Sequence, residues 1–274
     1  MQNRRSLVAA AVIGLTAGVV STPPAVADAP HSASAANTAA KVQLCHGKRA
    51  TIVGTPRKDR IIGTNGRDVI VALDGTDRIF GKGGNDWICG KGGNDRIYPG
   101  AGSDHVEGGQ NNDVVRYSTG DDVLDGGGSP DTLDYARAPL AVRIDGRQRI
   151  AAFGRGKRDH YQGFENFGLT RFDDTFRAGG AGANVFADDG DDVLVGGHSQ
   201  DIFNGGDGDD RLDGGLGDDG LTGGLGADRM VDLHGQSFIS DGAPKRRDRG
   251  GVIRTGPRPD ELFIYPGKQR IDTG

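Results

Sequence analysis

The sequence predicts an all-β solenoid in which very short strands stack into two parallel sheets. Three observations support this fold class: a repeat of nine residues, 49 glycines among 274 residues, and an aromatic content of only 6%. Few large side chains are available for an ordinary globular core. An internal repeat of short period is typical of solenoids, in which each unit packs only on its neighbours.

The repeat places an aspartate every nine residues, with an apolar side chain two residues after it. In the first array the aspartates are Asp59, Asp68, Asp77, Asp86, Asp95, Asp104, Asp113, Asp122 and Asp131. In the second array they are Asp192, Asp201, Asp210, Asp219 and Asp228. Two weaker units, Asp174-Thr175-Phe176 and Asn184-Val185-Phe186, precede the second array with spacings of ten and then eight residues. An unbroken series of this length excludes chance.

Each unit consists of six loop residues and three strand residues. In the unit 90–98, Arg96 and Tyr98 should point outward and Ile97 inward, as strand alternation requires. The glycine-rich loop can adopt φ > 0 at little steric cost. Two units then form a coil of eighteen residues, so residues eighteen apart should lie above one another in the stack.

The stacking predicts a row of carboxylates along each edge of the solenoid. One row contains Asp59, Asp77, Asp95, Asp113 and Asp131, and the other contains Asp68, Asp86, Asp104 and Asp122. Carboxylates at the strand spacing of about 4.8 Å repel one another. The repulsion favours a cation between them, and calcium accepts many oxygen ligands in irregular geometry. The alternative is that the aspartates only form turns by bonding their own backbone; their alignment in rows favours the cation.

Several units resemble one known repeat. These units are GKGGNDWIC, GKGGNDRIY, PGAGSDHVE, GGDGDDRLD, GGLGDDGLT and GGLGADRMV. They are similar to the nonapeptide GGxGxDxUx of hemolysin-type (RTX) calcium-binding repeats. The order of array, hairpin and array is similar to that of secreted actinobacterial members, as is the segment CHGKRATIVG at 45–54. The resemblance implies a parallel β-roll, a right-handed β-solenoid, in two stacks interrupted by a β-hairpin. It also implies several Ca²⁺ ions held between successive loops by aspartate carboxylates and backbone carbonyls.

The predicted calcium ligands are aspartates of both arrays. They are Asp68, Asp77, Asp86, Asp95, Asp104, Asp113, Asp122, Asp192, Asp201, Asp210, Asp219 and Asp228. Four turns replace a loop glycine of the motif. The replacements are Arg57 before Asp59, Ala72-Leu73 before Asp77, Asn111 before Asp113 and Ser129 before Asp131. Calcium is less expected at those turns, and Asp59 and Asp131 are not among the predicted ligands.

The chain divides into six segments. They are a signal peptide (1–27), a flexible leader (28–44), the first array (45–135), a hairpin insertion (136–171), the second array (172–231) and a C-terminal cap or tail (232–274). Within the insertion, the alternation on both sides of Asp145-Gly146 predicts a hairpin with a type I′ turn. The tail is expected to cap the last coil, because the ends of solenoids need covering.

The N-terminus predicts secretion. Arg4 and Arg5 precede the apolar run 7–20, and Ala25-Val26-Ala27 matches a cleavage pattern. The run is too short to span a bilayer comfortably, so the mature chain should have no membrane span. The sequence leaves open whether export uses the general or the twin-arginine route.

Cysteine and charge content bear on compartment and partners. In an extracellular compartment, the two cysteines Cys45 and Cys89 predict a disulfide, with two buried free thiols as the alternative. The formal net charge of −5 argues against nucleic acid as the main partner. The acids are almost all aspartates, since only Glu107, Glu165 and Glu261 are glutamates. This bias favours short carboxylates held close to the backbone.

The sequence predicts a binding protein rather than an enzyme. It contains no HExxH helix and no GxSxG elbow, and its six histidines are scattered. His160, Tyr161 and Glu165 are more simply a surface cluster than a catalytic site. The predicted function is therefore a secreted calcium-binding β-roll that folds on binding its ions. The alternative is a calcium-dependent interaction module for a cell-wall or matrix component.

Overall fold

The computed structural model describes residues 42–154, 156–232, 234 and 238–240, and the backbone of the strands 252–255, 261–263 and 270–273. The predicted signal peptide 1–27 and residues 28–41 of the predicted leader lie outside the described residues. Within the described part there is no helix, and hence none long and apolar enough to cross a membrane.

The described residues form 27 strands, most of them three to six residues long. In chain order they are β1 (Leu44–Cys45), β2 (Lys48–Arg49), β3 (Ile52–Val53), β4 (Arg60–Ile62), β5 (Val69–Asp74), β6 (Arg78–Phe80), β7 (Trp87–Gly92), β8 (Arg96–Tyr98), β9 (His105–Gln110), β10 (Val114–Arg116), β11 (Val123–Gly128), β12 (Thr132–Asp134), β13 (Val142–Asp145), β14 (Ile150–Phe153), β15 (Lys157–Gln162), β16 (Asn166–Gly168), β17 (Thr175–Arg177), β18 (Asn184–Phe186), β19 (Val193–Val195), β20 (Ile202–Asp207), β21 (Arg211–Asp213), β22 (Gly220–Leu225), β23 (Arg229–Asp232), β24 (Phe238–Ser240), β25 (Val252–Thr255), β26 (Glu261–Phe263) and β27 (Arg270–Thr273).

Two long sheets run along the molecule, and the chain alternates between them. One sheet has eleven strands, β4 to β26, all paired in parallel; the other has fourteen, β3 to β27. Within an array the parallel register is eighteen residues, so that Ile61 pairs with Ile79 and Ile79 with Ile97. The predicted all-β parallel solenoid is confirmed.

The core is a thin column of aliphatic side chains between the two sheets. The middle residue of each three-residue strand points inward, and Ile61, Ile79 and Ile97 are fully buried. Ile70 and Ile88 face them from the other sheet with no exposed surface. One buried side chain per strand is little apolar area, so stacking and loop chemistry must contribute to the stability of each coil.

The two arrays share one continuous sheet. In the eleven-stranded sheet, β12 of the first array pairs with β16, and β16 pairs directly with β18. Within the insertion, β16 lies in this sheet, whereas β13, β14 and β15 lie in the fourteen-stranded sheet. In the fourteen-stranded sheet, β15 pairs with β11 and β13 pairs with β17, both in parallel. Strand β14 lies between β15 and β13 and pairs with both in antiparallel orientation.

The turn of the hairpin differs from the prediction. Asp145 pairs with Ile150, which leaves residues 146–149 as a four-residue loop instead of a type I′ turn at Asp145-Gly146. The reason is that Gly146 continues the parallel pairing with the next coil. Its N–H donates to the carbonyl of Arg177 at 2.8 Å, so it is not available to reverse the chain.

The start of the second array is regular, which corrects the predicted spacing of ten and eight. Ala183, not Asn184, occupies the aspartate position, because its N–H donates to Asp201 Oδ1 at 2.7 Å as the aspartates of neighbouring coils do. Val185 is then the buried residue of its strand, and Phe186 is exposed.

The predicted disulfide between Cys45 and Cys89 is formed, with a Cα–Cα distance of 5.7 Å. It ties the antiparallel ribbon of β1 and β2 to β7. Both cysteines are fully buried, in a small cluster with Val69 and Val71. The disulfide thereby cross-links the N-terminal end of the solenoid to strand β7.

Candidate metal-binding loops

The repeat aspartates form the two predicted rows, one along each edge of the solenoid. Within each row, the backbone N–H of one aspartate donates to Oδ1 of the aspartate eighteen residues later, as from Asp59 to Asp77 at 2.7 Å and from Asp68 to Asp86 at 2.8 Å. The same bond recurs through Asp113 and Asp131 and, in the second array, through Asp192 and Asp210. One carboxylate oxygen of each is therefore used to join successive coils.

The aspartates are buried, and burial is the main reason why their pKa values lie above the ordinary range. The pKa is raised to about 6 for Asp77, Asp86, Asp131 and Asp210, to about 7 for Asp95, Asp104 and Asp219, and to about 8 for Asp113 and Asp192. Neighbouring carboxylates of the same row raise the pKa further, whereas the backbone hydrogen bond lowers it. Without a counter-charge, these rows are electrostatically unfavourable as carboxylates.

The loops before the aspartates fall into two classes. In the first class, here called open loops, both the second and the fourth loop residue adopt φ > 0. The open loops precede Asp77, Asp86, Asp95, Asp104, Asp113, Asp131, Asp192, Asp210, Asp219 and Asp228. In the second class, here called capped loops, the second residue has no such conformation, and the loops precede Asp59, Asp68, Asp122, Asp174 and Asp201.

In capped loops the second oxygen of the aspartate accepts a hydrogen bond from the second loop residue. The donors are the N–H groups of Thr55 (2.5 Å), Thr64 (2.6 Å), Thr170 (2.6 Å) and Gly197 (2.7 Å) and the hydroxyl of Ser118 (2.6 Å). A β-branched threonine is strongly disfavoured at φ > 0. The peptide before it therefore keeps its N–H directed at the carboxylate, and the protein itself satisfies the aspartate.

In eight of the ten open loops the corresponding oxygen is buried and has no hydrogen-bond donor among the described residues. This holds for Oδ2 of Asp77, Asp86, Asp95, Asp104, Asp113, Asp131, Asp192 and Asp210. A buried anionic oxygen without a partner is costly, and native proteins pair such groups or place them on metals. The open loops therefore require a cation or a proton at this oxygen.

Backbone carbonyl oxygens of the next coil lie close to the same aspartate Oδ2 atoms. A Cβ built on Gly108 would lie 2.5 Å from Asp113 Oδ2 and 2.5 Å from the carbonyl oxygen of Gly126 in the next coil. Gly205 stands in the same relation to Asp210 and Gly223. Only glycine fits there, and the space beside it is lined by oxygens of both coils. Carboxylate and carbonyl oxygens without nitrogen or sulfur ligands suit calcium, so the open loops fit this ion.

The structure separates the predicted ligands into these two classes. Nine of the twelve lie in open loops, whereas Asp68, Asp122 and Asp201 lie in capped loops. Asp131, which was not predicted, lies in an open loop because Ser129 adopts φ = 96° in place of glycine. Leu73 and Asn111 likewise adopt φ = 77° and 73°. A threonine at the second loop position would have been the better sequence signal for capped loops.

Two further acids extend the rows across the insertion and were not predicted as row members. Glu165 Oε2 accepts the N–H of Asp131 at 3.1 Å, and Asp159 Oδ1 accepts that of Asp122 at 3.0 Å. Asp159 Oδ2 also accepts the Tyr135 hydroxyl at 2.7 Å, and burial raises the pKa of Asp159 to about 7. Neither acid lies in phase with the nine-residue repeat, so periodicity could not identify it.

The residues His160, Tyr161 and Glu165 are not brought together as a site. His160 is exposed, Tyr161 is buried on the opposite face of the same strand, and Glu165 belongs to the carboxylate row. Asp232 is another acid that sequence reasoning missed. Its carboxyl group lies beside that of Asp219 and raises the pKa of Asp219, after burial as the largest cause.

The fold and these loops define a parallel β-solenoid whose repeats present oxygen ligands to cations. The family model of the RTX calcium-binding nonapeptide repeat (4 copies) matches residues 53–88, 83–115, 117–136, 178–212 and 199–230. The chain belongs to this family of RTX repeat proteins, as the resemblance of its units indicated. No curated protein matches the chain.

Proposed function

We propose that the protein is a secreted β-roll that binds several Ca²⁺ ions and depends on them for its fold. The observation that carries this proposal is the set of buried Oδ2 atoms without donors in the open loops. Several of them lie next to a backbone carbonyl of the following coil at a position where only glycine fits, as at Gly90, Gly108 and Gly205. The matched family consists of calcium-binding repeats, which supports the choice of ion.

The proposed ligands are the ten aspartates of the open loops together with loop carbonyls. Relative to the ligands predicted from sequence, Asp131 is added, and Asp68, Asp122 and Asp201 are assigned instead to hydrogen bonds with the second residue of their own loops. The ion supplies the positive charge that the rows lack. The chain contributes the carboxylates, holds them by the Oδ1 bonds between coils, and excludes water by burying them.

Calcium binding should be coupled to folding. Glycine loses much conformational freedom on folding, the core offers one buried side chain per strand, and the unpaired carboxylates oppose stacking. A ligand that binds only the folded chain then contributes its binding free energy to stability. Extracellular calcium modules commonly have dissociation constants of about 10⁻⁴–10⁻³ M, which matches a protein that folds after export.

Circular dichroism during calcium titration tests the proposal. The chain in EGTA should lack most of its β signal and its cooperative melting transition, and both should appear on adding calcium, with magnesium as the control ion. Isothermal titration calorimetry of the same sample gives the number of ions. An unchanged β signal and melting temperature in EGTA and calcium would refute coupled folding, and the absence of heat would refute binding.

Secretion is part of the proposal and has its own support. The predicted signal peptide 1–27 and the buried Cys45–Cys89 disulfide both fit an oxidising extracellular compartment. N-terminal sequencing of the exported protein should give a chain that starts at Asp28. Recovery of the full-length chain only from inside the cell would contradict secretion.

The alternative role, a calcium-dependent interaction module rather than an enzyme, is compatible with the same fold. One observation favours it, a row of exposed arginines on the outward face of the eleven-stranded sheet. Calcium would then fold the surface that binds the partner.

A further inference from the structure

The outward face of the eleven-stranded sheet carries a row of arginines in the first array. Arg60, Arg78 and Arg96 are the first residues of β4, β6 and β8, and the parallel register places Arg60 beside Arg78 and Arg78 beside Arg96. All three side chains are exposed. We refer to these three residues as the arginine ladder.

The fold itself does not explain the arginine ladder. Like charges on directly neighbouring strands destabilise a sheet. Over the described ranges, the ion pairs are His46–Glu107, Lys91–Glu107, Arg116–Asp134 and Lys157–Asp121, and none includes a ladder residue. The loop before β4 adds two exposed basic residues, Arg57 and Lys58, and therefore increases the local positive charge.

A second column of side chains lies beside the ladder and makes the surface rigid. The rings of Phe80 and Tyr98 stack with centroids 4.6 Å apart and an angle of 11° between their planes. Arg60 lies over Phe80 at 5.0 Å, and Arg116 lies over Tyr98 at 5.6 Å. Arg60 of the ladder and Arg116 of β10 therefore cover the two rings with their guanidinium groups.

We propose that the arginine ladder binds a linear acidic polysaccharide that carries a carboxylate on each sugar unit. A guanidinium group binds a carboxylate through two parallel hydrogen bonds. The ladder repeats at the strand spacing of about 4.8 Å, which is comparable to the length of one pyranose unit in an extended chain. An extended polymer can therefore lie along the ladder with a similar repeat, and the long arginine side chains can reach carboxylates of neighbouring units that face the sheet.

The covered rings argue against a nucleic acid as the partner. Proteins that bind single strands stack bases on free aromatic faces, whereas the outer faces of Phe80 and Tyr98 are occupied by Arg60 and Arg116. The net charge of −5 also disfavours a general polyanion-binding role. The proposal depends on the β-roll fold. Calcium is needed for polysaccharide binding only because the fold needs calcium.

Binding of a short oligogalacturonate, measured by calorimetry at saturating calcium, tests the proposal. The triple variant R60Q/R78Q/R96Q should bind at least about tenfold more weakly than the natural chain, because charge-assisted hydrogen bonds are lost. The matched control R137Q/R147Q/R177Q removes the same charge from exposed positions outside the ladder and should bind like the natural chain. Circular dichroism of every sample shows whether it is folded, which separates a failure of the ladder from a failure of calcium-dependent folding.

Three further ligands complete the experiment. The same oligomer with its carboxylates converted to methyl esters should not bind, and single-stranded DNA and inorganic polyphosphate should bind more weakly than the oligogalacturonate. Equal binding of the ester, equal or tighter binding of DNA or polyphosphate, or unchanged binding by a folded R60Q/R78Q/R96Q variant would each overturn the proposal. Added sodium chloride should weaken the binding of the natural chain, since the contact is ionic and exposed.

Discussion

The N–H of Asp131 donates to Glu165 Oε2 at 3.1 Å across 34 residues of sequence, whereas within an array each such bond spans eighteen. The insertion lies between these two residues, and Glu165 takes the place of the next aspartate in the row. Its side chain accepts the Asp131 N–H although Glu165 lies out of phase with the nine-residue repeat. One of only three glutamates in the chain thus joins the two arrays along this edge.

Replacing Glu165 tests this junction. Glu165→Ala leaves the buried Asp131 N–H without an acceptor and should lower the free energy of unfolding of the calcium-loaded protein by about 1–3 kcal/mol. Glu165→Gln keeps an oxygen acceptor and should lower it by less. Urea denaturation at saturating calcium measures both, and equal losses for the two variants would contradict the assigned hydrogen bond.

Replacing an aspartate by asparagine should have different effects in the two classes of loop. Asp113→Asn removes an anionic oxygen from an open loop and should reduce the number of bound calcium ions and the melting temperature in calcium. Asp68→Asn, in a capped loop, retains an oxygen that can accept the Thr64 N–H and should leave the number of ions unchanged. Calorimetric stoichiometry decides, and loss of an ion from Asp68→Asn would show that capped loops also bind calcium.

A capped loop should be convertible into an open one. Thr64→Gly changes the loop GTNGRD to GGNGRD, which removes the steric barrier to φ > 0 at the second position. The N–H would then turn away from Asp68, and we expect one additional calcium ion per chain. Thr64→Val, which keeps a β-branched side chain and therefore the barrier to φ > 0, serves as the control and should bind the same number as the natural chain. If Thr64→Gly binds no additional ion, the second loop residue does not decide between the classes.

The raised pKa values predict an unusual pH dependence for the calcium-free chain. Nine of the row carboxylates have pKa values raised to about 6 to 8 in the folded chain, for example about 7 for Asp95 and about 8 for Asp113, against about 3.9 in an unfolded chain. Between about pH 4 and pH 8 the folded state therefore binds more protons, so the free energy of unfolding falls as pH rises through this window. In EGTA, the β signal should be larger at pH 5 than at pH 8.

Calcium should reverse this behaviour, because protons and calcium compete for the same oxygens. The apparent calcium affinity should decrease as the pH falls from 8 to 5, as measured by titration at fixed ionic strength. A calcium-free β signal that is constant or increases with pH would contradict unfavourable carboxylate rows.

The sequence predicts the fold well because a solenoid depends on local periodicity. The inward position of Ile97 and the stacking of residues eighteen apart follow from strand alternation and the length of a coil. The insertion was less predictable, since Gly146 is held by a hydrogen bond to the next coil and not by local turn preference. Tertiary pairing therefore overrides the local signal there.

The conformation of the loops was likewise only partly predictable from the sequence. Glycines at both the second and the fourth loop position predict open loops correctly, but Leu73 and Ser129 also adopt the left-handed conformation, which the motif does not anticipate. Asp159 and Glu165 could not be identified as row members because they enter the rows through the insertion. Which aspartates face donors and which face carbonyls depends on single peptide orientations that the repeat motif does not encode.

The first coil differs from those that follow it in one respect with consequences for folding order. Both of its aspartates, Asp59 and Asp68, are satisfied by the N–H groups of Thr55 and Thr64, and the nearby ribbon is held by the Cys45–Cys89 disulfide. This end of the molecule can therefore form without ions and present a finished edge on which the next coil pairs. Because each coil contacts only its neighbours, calcium would then be taken up progressively from this end, and assembly would have a direction, from the N-terminus toward the C-terminus.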